Sequence, residues 1–266
     1  MKPAALLDQL RASILHRNIA ARAAKFGWRD WPTQEQLNEQ LAATCVNSAG
    51  QRMRFSYSAG AGDEGAAAYE TEINRSAVIP LRPLSWHDLF NALMWIAFPL
   101  TKSSLNAIHR RELLCQQGGA RSARRDAVTL LDECGIVLVV DDYDWTRMHE
   151  EHDWHELLVA NREDWGRRIK PMNLGHGLLE QCLTPYIGLT GKALHLKMPA
   201  DWFELPEDEQ RHAVDDSLSK AIINDQCVLS THELLPLPIL GIPGWWPDNE
   251  LPSFYSNRDY FRPARS

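Results

Sequence analysis

Ser85-Trp-His-Asp-Leu-Phe-Asn-Ala-Leu-Met-Trp-Ile-Ala-Phe-Pro-Leu-Thr-Lys-Ser-Ser-Leu-Asn-Ala-Ile-His109 combines the densest apolar content of the chain with a regular set of polar residues. Ser85, with Asp88 three residues on and Pro83 just upstream, marks a helix start: the serine oxygen accepts an orphan backbone N–H and the acid reaches back. Trp86, Phe90, Leu93 and Ala97 recur at helical spacing, and Leu89, Ala92, Met94 and Ile96 fill the flanks, so this helix is expected to be buried on most of its circumference. Pro99 disfavours α geometry at Phe98. A tight break should follow, with Thr101 capping a second helix that carries Leu105, Ile108 and Leu113 on its apolar face.

His87 and Asn91 lie one turn apart on the first helix, while Lys102, Asn106 and His109 form a stripe at i, i+4 and i+7 on the second. If the helices fold against each other, the two stripes share a cleft. Polar groups beside so much aromatic surface need hydrogen-bond partners, which a cleft or a closed network supplies. The plainer alternatives are a capping role for Asp88, a structural hydrogen bond for His87 and Asn91, and a snorkelling surface position for Lys102.

Working outward toward the N-terminus, Leu7, Leu10 and Ile14 mark an amphipathic first helix extending past Ala20, and Phe26-Gly27-Trp28 interrupts it. Thr33 and Gln36, with Pro32 at the first position, suit a capped helix containing Leu37 and Leu41. Met53, Phe55 and Tyr57 alternate with polar residues, as does the segment 69–73, which predicts two strands joined by the Gly/Ala/Ser-rich loop 58–68.

Toward the C-terminus, the stretch 116–125 reads as a locally positive loop containing Arg121, Arg124 and Arg125. The segments 126–131 and 136–140 flank Asp132-Glu133-Cys134-Gly135, the pattern of a hairpin, and Ile-Val-Leu-Val-Val over 136–140 should be a central strand. A helix is expected over 153–169, another opening at Gly175-His176-Gly177 with Glu180 one turn from His176, short strands over 186–190 and 192–196, and a last helix over 207–224. Prolines at 236, 238, 243, 247 and 252 forbid a long helix or central strand. Trp245, Trp246, Phe254 and Phe261 nevertheless require packing, so an extended arm over the core is expected.

These readings define an α+β fold, a mostly helical single domain over 1–266 built around the buried helix pair, with a small, largely antiparallel sheet and a Pro-rich C-terminal arm. Hydrophobic content of 44% and charged content of 24% are those of an ordinary globular chain, and a net charge of -7 argues against nucleic-acid or membrane-surface binding through bulk charge. Five cysteines, odd in number and without a Cys-x-x-Cys pair, signal neither a disulfide framework nor a zinc knuckle. Together with the absence of a signal-peptide or membrane-spanning pattern, they set the expectation of a cytoplasmic protein.

No Gly-x-Ser-x-Gly occurs, so a nucleophilic hydrolase of the elbow type has no support; neither a P-loop nor a dinucleotide fingerprint occurs, so ATP, NAD and FAD are not expected and no cofactor is assigned. His149, His152 and His155 invite a metal reading, but the first two are three apart where a helical protease site needs four, and no metal is expected there.

Trp86-His87-Asp88-Leu89-Phe90-Asn91-Ala92-Leu93, Phe98-Pro99 with Thr101-Lys102 and Leu105-Asn106, Arg125-Asp126-Ala127 with Thr129-Leu130 and Asp132-Glu133, Gly175-His176, and Leu237-Pro238 through Gly241-Ile242-Pro243-Gly244-Trp245 together resemble the bacterial domain of unknown function 3025. The likeness runs in one order over roughly 69–263, leaving 1–68 as a variable part. It implies that His87, Asn91, Lys102, Asn106, Arg125, Asp126 and His176 belong to the family's pattern, and His149, His152 and His155 do not. It carries no activity.

The residue types support an enzyme, a hydrolase or transferase acting on a small anionic or amide-containing substrate. His87 or His176 would be the acid/base group, Lys102 and Arg125 the charge stabilisers, Asn91 and Asn106 orienting donors, and Asp126 a further binding group. His176 with Glu180 reads either as a base with its orienting carboxylate or, equally, as a buried histidine held by an acid. A metabolite- or peptide-binding module is the alternative, and a metal-dependent phosphohydrolase built on the adjacent His87-Asp88 pair is a weaker one. The partner expected is a small molecule, with neither nucleic acid nor membrane.

Overall fold

Gly135–Val140 (β3) is apolar on both faces and is buried at every position, as the sequence of a central strand requires. In the computed structural model it lies inside a four-stranded sheet of order β4-β3-β5-β6, with Ile169–Asn173 (β4) antiparallel to it, Thr190–Lys197 (β5) parallel, and Leu235–Pro238 (β6) antiparallel to β5 at the edge. Val137 and Val139 face the main helical core, and Ile136, Leu138 and Val140 face a second cluster on the other side. Arg54–Tyr57 (β1) and Val78–Leu81 (β2) make a separate parallel pair. The larger sheet is therefore mixed and the smaller one parallel, and the architecture is α+β. The structure describes residues 14–28, 30–58, 66–115, 121–141 and 144–264, together with Asp8 and Leu10.

Nine helices complete the described chain: Arg17–Lys25 (α1), Gln34–Gln40 (α2), Ala66–Ser76 (α3), Trp86–Ala97 (α4), Pro99–Cys115 (α5), Ala123–Cys134 (α6), Trp145–Glu150 (α7), His176–Gln181 (α8) and Glu207–Ile223 (α9). Residues 11–13 and Leu7 of the expected first helix lie outside the described residues, and α1 follows a 3-10 turn at Ile14–His16. Thr33 and Gln36 form the reciprocal cap of α2, with Pro32 standing before the cap rather than inside the helix.

The helix pair α4 and α5 forms where the sequence places it. Ser85 Oγ accepts from the Asp88 amide at 3.3 Å, and all of α4 from Asp88 to Ala97 except Ile96 is buried. The Asp88 carboxylate does not reach back to the cap. It grips Arg82 through the backbone amide at 2.5 Å and the guanidinium at 2.7 Å. Nor does Thr101 cap α5, which starts at Pro99. Its first amides, Leu100 N and Thr101 N, donate to the Asp215 carboxylate of α9 at 3.0 and 2.7 Å, so the cap arrives from another helix.

Several expected strands are helical. The hairpin over 126–140 is absent: 123–134 is α6, capped by Ser122 at the Arg125 amide, with Ala127, Val128 and Leu131 as its buried stripe. Ala127 to Leu131 is a helical i, i+1, i+4 pattern that short apolar runs do not separate from a strand. The segment 69–73 lies within α3 for the same reason. The expected loop residues 59–65 and 116–120 lie outside the described residues.

The helix expected over 153–169 is reduced to a π turn at Glu156–Ala160 and a 3-10 turn at Arg162–Asp164, leading into β4. The segment 186–190 is turn, and β5 begins only at Thr190. In the Pro-rich arm, β6 takes the edge position that proline tolerates. Tyr260 and Phe261 are buried in the second cluster. Among the described residues no helix is long and apolar enough to cross a membrane, and all five cysteines are free.

Candidate functional site

The site is set by a close crossing of backbones. A Cβ on Gly175 would stand 2.4 Å from Gly135 N and 2.6 Å from Cys134 C, so only glycine lets the start of α8 press against the junction of α6 and β3. That approach puts His176 beside Asp132 and Glu133. Gly177 extends it, because a Cβ there would fall 2.5 Å from Glu133 Oε2. His87 and Asn91 of α4 line the same cleft, of about 220 Å³, as do the exposed Arg121 and the buried Arg125.

His87 Nδ1 lies 3.0 Å from Glu180 Oε2, and because a carboxylate only accepts, this nitrogen carries the proton and donates. The two Nε2 atoms of His87 and His176 are 3.1 Å apart, with the rings nearly perpendicular at 74°. Glu133 Oε1 completes the group, 3.5 Å from His176 Nε2 and 3.9 Å from His87 Nε2. The His87 side chain is 32% exposed toward the cleft and that of His176 only 5%, so one ring is accessible and the other forms the floor.

Behind this cluster runs a buried network. Lys102 Nζ donates to Asn91 Oδ1 at 2.9 Å and to the Asp132 carboxylate, and sits 5.3 Å over the Trp95 ring. Asn91 in turn donates to the Tyr69 hydroxyl at 2.8 Å. Asn106 donates to the Glu70 carboxylate. His109 lines the cleft with a buried Nδ1 that makes no hydrogen bond.

The electrostatics follow from this burial. Burial pushes His176 down to about 3, against the opposing pull of Asp132, and His109 down to about 4. Burial also raises Glu133, with His87 opposing it, and carries Glu70 up to about 7 with the Asp132 charge adding. Burial would raise Asp132 too, but the Lys102 ammonium and neighbouring groups outweigh it and hold the carboxyl below its usual range. The imidazole floor is thus neutral around neutral pH, backed by one firmly anionic acid.

Of the residues singled out in the sequence, His87, Asn91, Arg125 and His176 line the cleft, and Lys102 and Asn106 stand behind it in the buried network. Asp126 does not: it is exposed and pairs with Arg121 at 3.0 Å. Glu180 is a carboxylate partner of His87 rather than of His176, because α4 packs alongside α8 and receives it. The adjacent His87-Asp88 pair is split, with Asp88 committed to Arg82.

His149, His152 and His155 do not converge. His149 bonds His195 and the Pro236 carbonyl, His152 the Arg262 carbonyl, and His155 is exposed. The arm's aromatics are not among the residues lining the cleft.

Sequence reasoning missed Tyr69, Glu70, Asp132 and Glu133. A signal for one of them was present: read as a helix, Arg125, Thr129 and Asp132 fall at i, i+4 and i+7, a single polar stripe, and all three line the cleft.

Fold and cleft define the class: an α+β domain whose helices close over imidazoles, carboxylates and arginines beside a mixed sheet. The family model described as protein of unknown function DUF3025 matches residues 53–265, and the chain belongs to that family. The match begins upstream of residue 69 and takes in β1. No curated protein and no solved structure matches the chain.

Proposed function

We propose that this protein is an enzyme, a hydrolase or transferase, whose cleft takes a small anionic or amide-containing substrate. The observation that carries the reading is the His87/His176 pair, oriented by Glu180 and faced by Glu133, in a cleft that Arg121 and Arg125 also line. Lone pairs held next to carboxylates take a proton from water or a substrate hydroxyl. The arginines receive the charge that develops on the attacked group, and the proton returns to the leaving group. The volume of about 220 Å³ is below that of drug-sized pockets and suits a substrate of few heavy atoms.

A panel of small phosphate esters, carboxylic esters and primary amides tests the reading. Turnover should fall about 10²–10⁴-fold in His87→Gln, with the unfolding midpoint little changed because the ring is partly exposed. Saturable anion binding that needs Arg125, with no turnover of any panel member, would instead identify a binding module.

A further inference from the structure

His87 Nε2, His176 Nε2 and Glu133 Oε1 form a triangle with sides of 3.1, 3.5 and 3.9 Å. The nearest point equidistant from the three atoms lies about 2.0 Å from each, within the range of zinc bonds to imidazole nitrogen or carboxylate oxygen. We propose that these three side chains hold a divalent transition-metal ion, zinc by donor set, with its remaining coordination position open to the cleft.

Hydrogen-bond accounting in the cluster leads to the same place. With the His87 proton on Nδ1, toward Glu180, the Nε2 of the neutral ring presents a lone pair to His176. If His176 carries its proton on Nε2, its buried Nδ1 is left as an acceptor facing the Asp132 carboxylate, 3.8 Å away, and no hydrogen bond satisfies it. If the proton is on Nδ1, toward the Asp132 acceptors, the two Nε2 lone pairs oppose each other at 3.1 Å. A cation between the lone pairs and Glu133 removes the conflict.

The resulting outer shell is the usual one for a metal site. Each ligating ring turns its other nitrogen to an acid, His87 to Glu180 and His176 to Asp132, and Asp132 is itself fixed by Lys102. The other buried imidazole pair shows the contrast. His149 and His195 are satisfied by one another at 3.3 Å and by the Pro236 carbonyl at 3.0 Å, and need no ion. The donors come from α4, α6 and α8, which explains why no local histidine spacing announced them. An ion here shares the cleft with Arg121 and Arg125, so its exchangeable ligand is water or a small anion.

The inference rests on the proposed enzyme but changes the imidazoles' part in it from proton acceptor to metal ligand, since an Nε2 lone pair bound to the ion takes no proton; it is tested by binding, apart from turnover. Protein carrying no affinity tag is stripped with chelator and titrated with Zn²⁺ by calorimetry and with Co²⁺ by visible absorption. One equivalent per chain should bind and raise the thermal midpoint. Glu133→Gln and His87→Gln should abolish that equivalent while the metal-free proteins melt close to the parent, and Glu180→Gln should weaken it about 10–100-fold.

Failure of both metals to bind saturably overturns the site, as does binding that survives Glu133→Gln, a substitution at a side chain that is 41% exposed. Full turnover by the stripped protein overturns the metal while leaving the enzyme reading intact. Metal bound without turnover on any substrate supports the site and removes the enzyme reading.

Discussion

Replacing Lys102 with Met leaves the Asp132 carboxylate buried with its main counter-charge gone. The Lys102 side chain is 3% exposed and that of Asp132 17%, and the ammonium also satisfies Asn91 Oδ1. Removing one member of such a pair costs about 3–5 kcal/mol, because the remaining charge is uncompensated rather than because the pair itself was strongly favourable. With a urea m-value of about 3 kcal/mol/M, the denaturation midpoint should fall by about 1–2 M. The companion variant Lys102→Met/Asp132→Asn removes both charges and should be more stable than the sum of the single losses implies, by about 2 kcal/mol. Urea melts of the four proteins in the cycle measure this directly. A single-variant loss below about 1 kcal/mol, or strict additivity, would refute the claim that a desolvated ion pair anchors α5 to α6.

Acid should destabilise the protein through its buried imidazoles. Burial holds His149 down to about 4 and His195 down to about 3, so between pH 6.5 and those values the unfolded chain binds protons that the native state refuses. Their contribution is complete above pH 6.5 and is lost as pH falls. Urea melts from pH 7 to 5 should show the slope shrinking in His195→Gln by up to about 1.4 kcal/mol per pH unit, and an unchanged slope would exclude the pair as its source. Gly175→Ala should cost about 3 kcal/mol or more, since the atoms met at 2.4 and 2.6 Å are backbone and cannot step aside; a thermal midpoint within about 2 °C of the parent would contradict that crossing. Tyr260→Phe should cost about 1–3 kcal/mol by stripping the Leu240 amide and Leu189 carbonyl of their shared hydroxyl, and equal stability would mean the arm is held otherwise.

What could be read from the chain was what is written locally. Ser85 and the aromatic periodicity fix α4, Thr33 and Gln36 fix the start of α2, and the unbroken Ile-Val-Leu-Val-Val run fixes a strand buried on both faces. Where the deciding interaction comes from afar, local reading failed. Asp215 caps α5 across 114 residues, and Arg82 rather than the helix end claims Asp88. The site divided the same way. His87 and Asn91 were visible as a stripe, whereas Glu133 was taken for part of a turn because α6 was taken for a strand. Once that element is helical, Arg125, Thr129 and Asp132 align on one face, so a single error of period hid part of the acidic side of the cleft.

The position of β6 bears on how the molecule is made. β5 pairs with β3 on one flank and with residues 235–238 on the other. A chain emerging from the ribosome therefore carries 190–193 with unmet amides and carbonyls until more than forty further residues have been added. During that interval the open flank can recruit a strand from a neighbouring nascent molecule. Chains cut short before residue 235 should accordingly accumulate as aggregates, even though every residue of the imidazole–carboxylate cluster has already been synthesised.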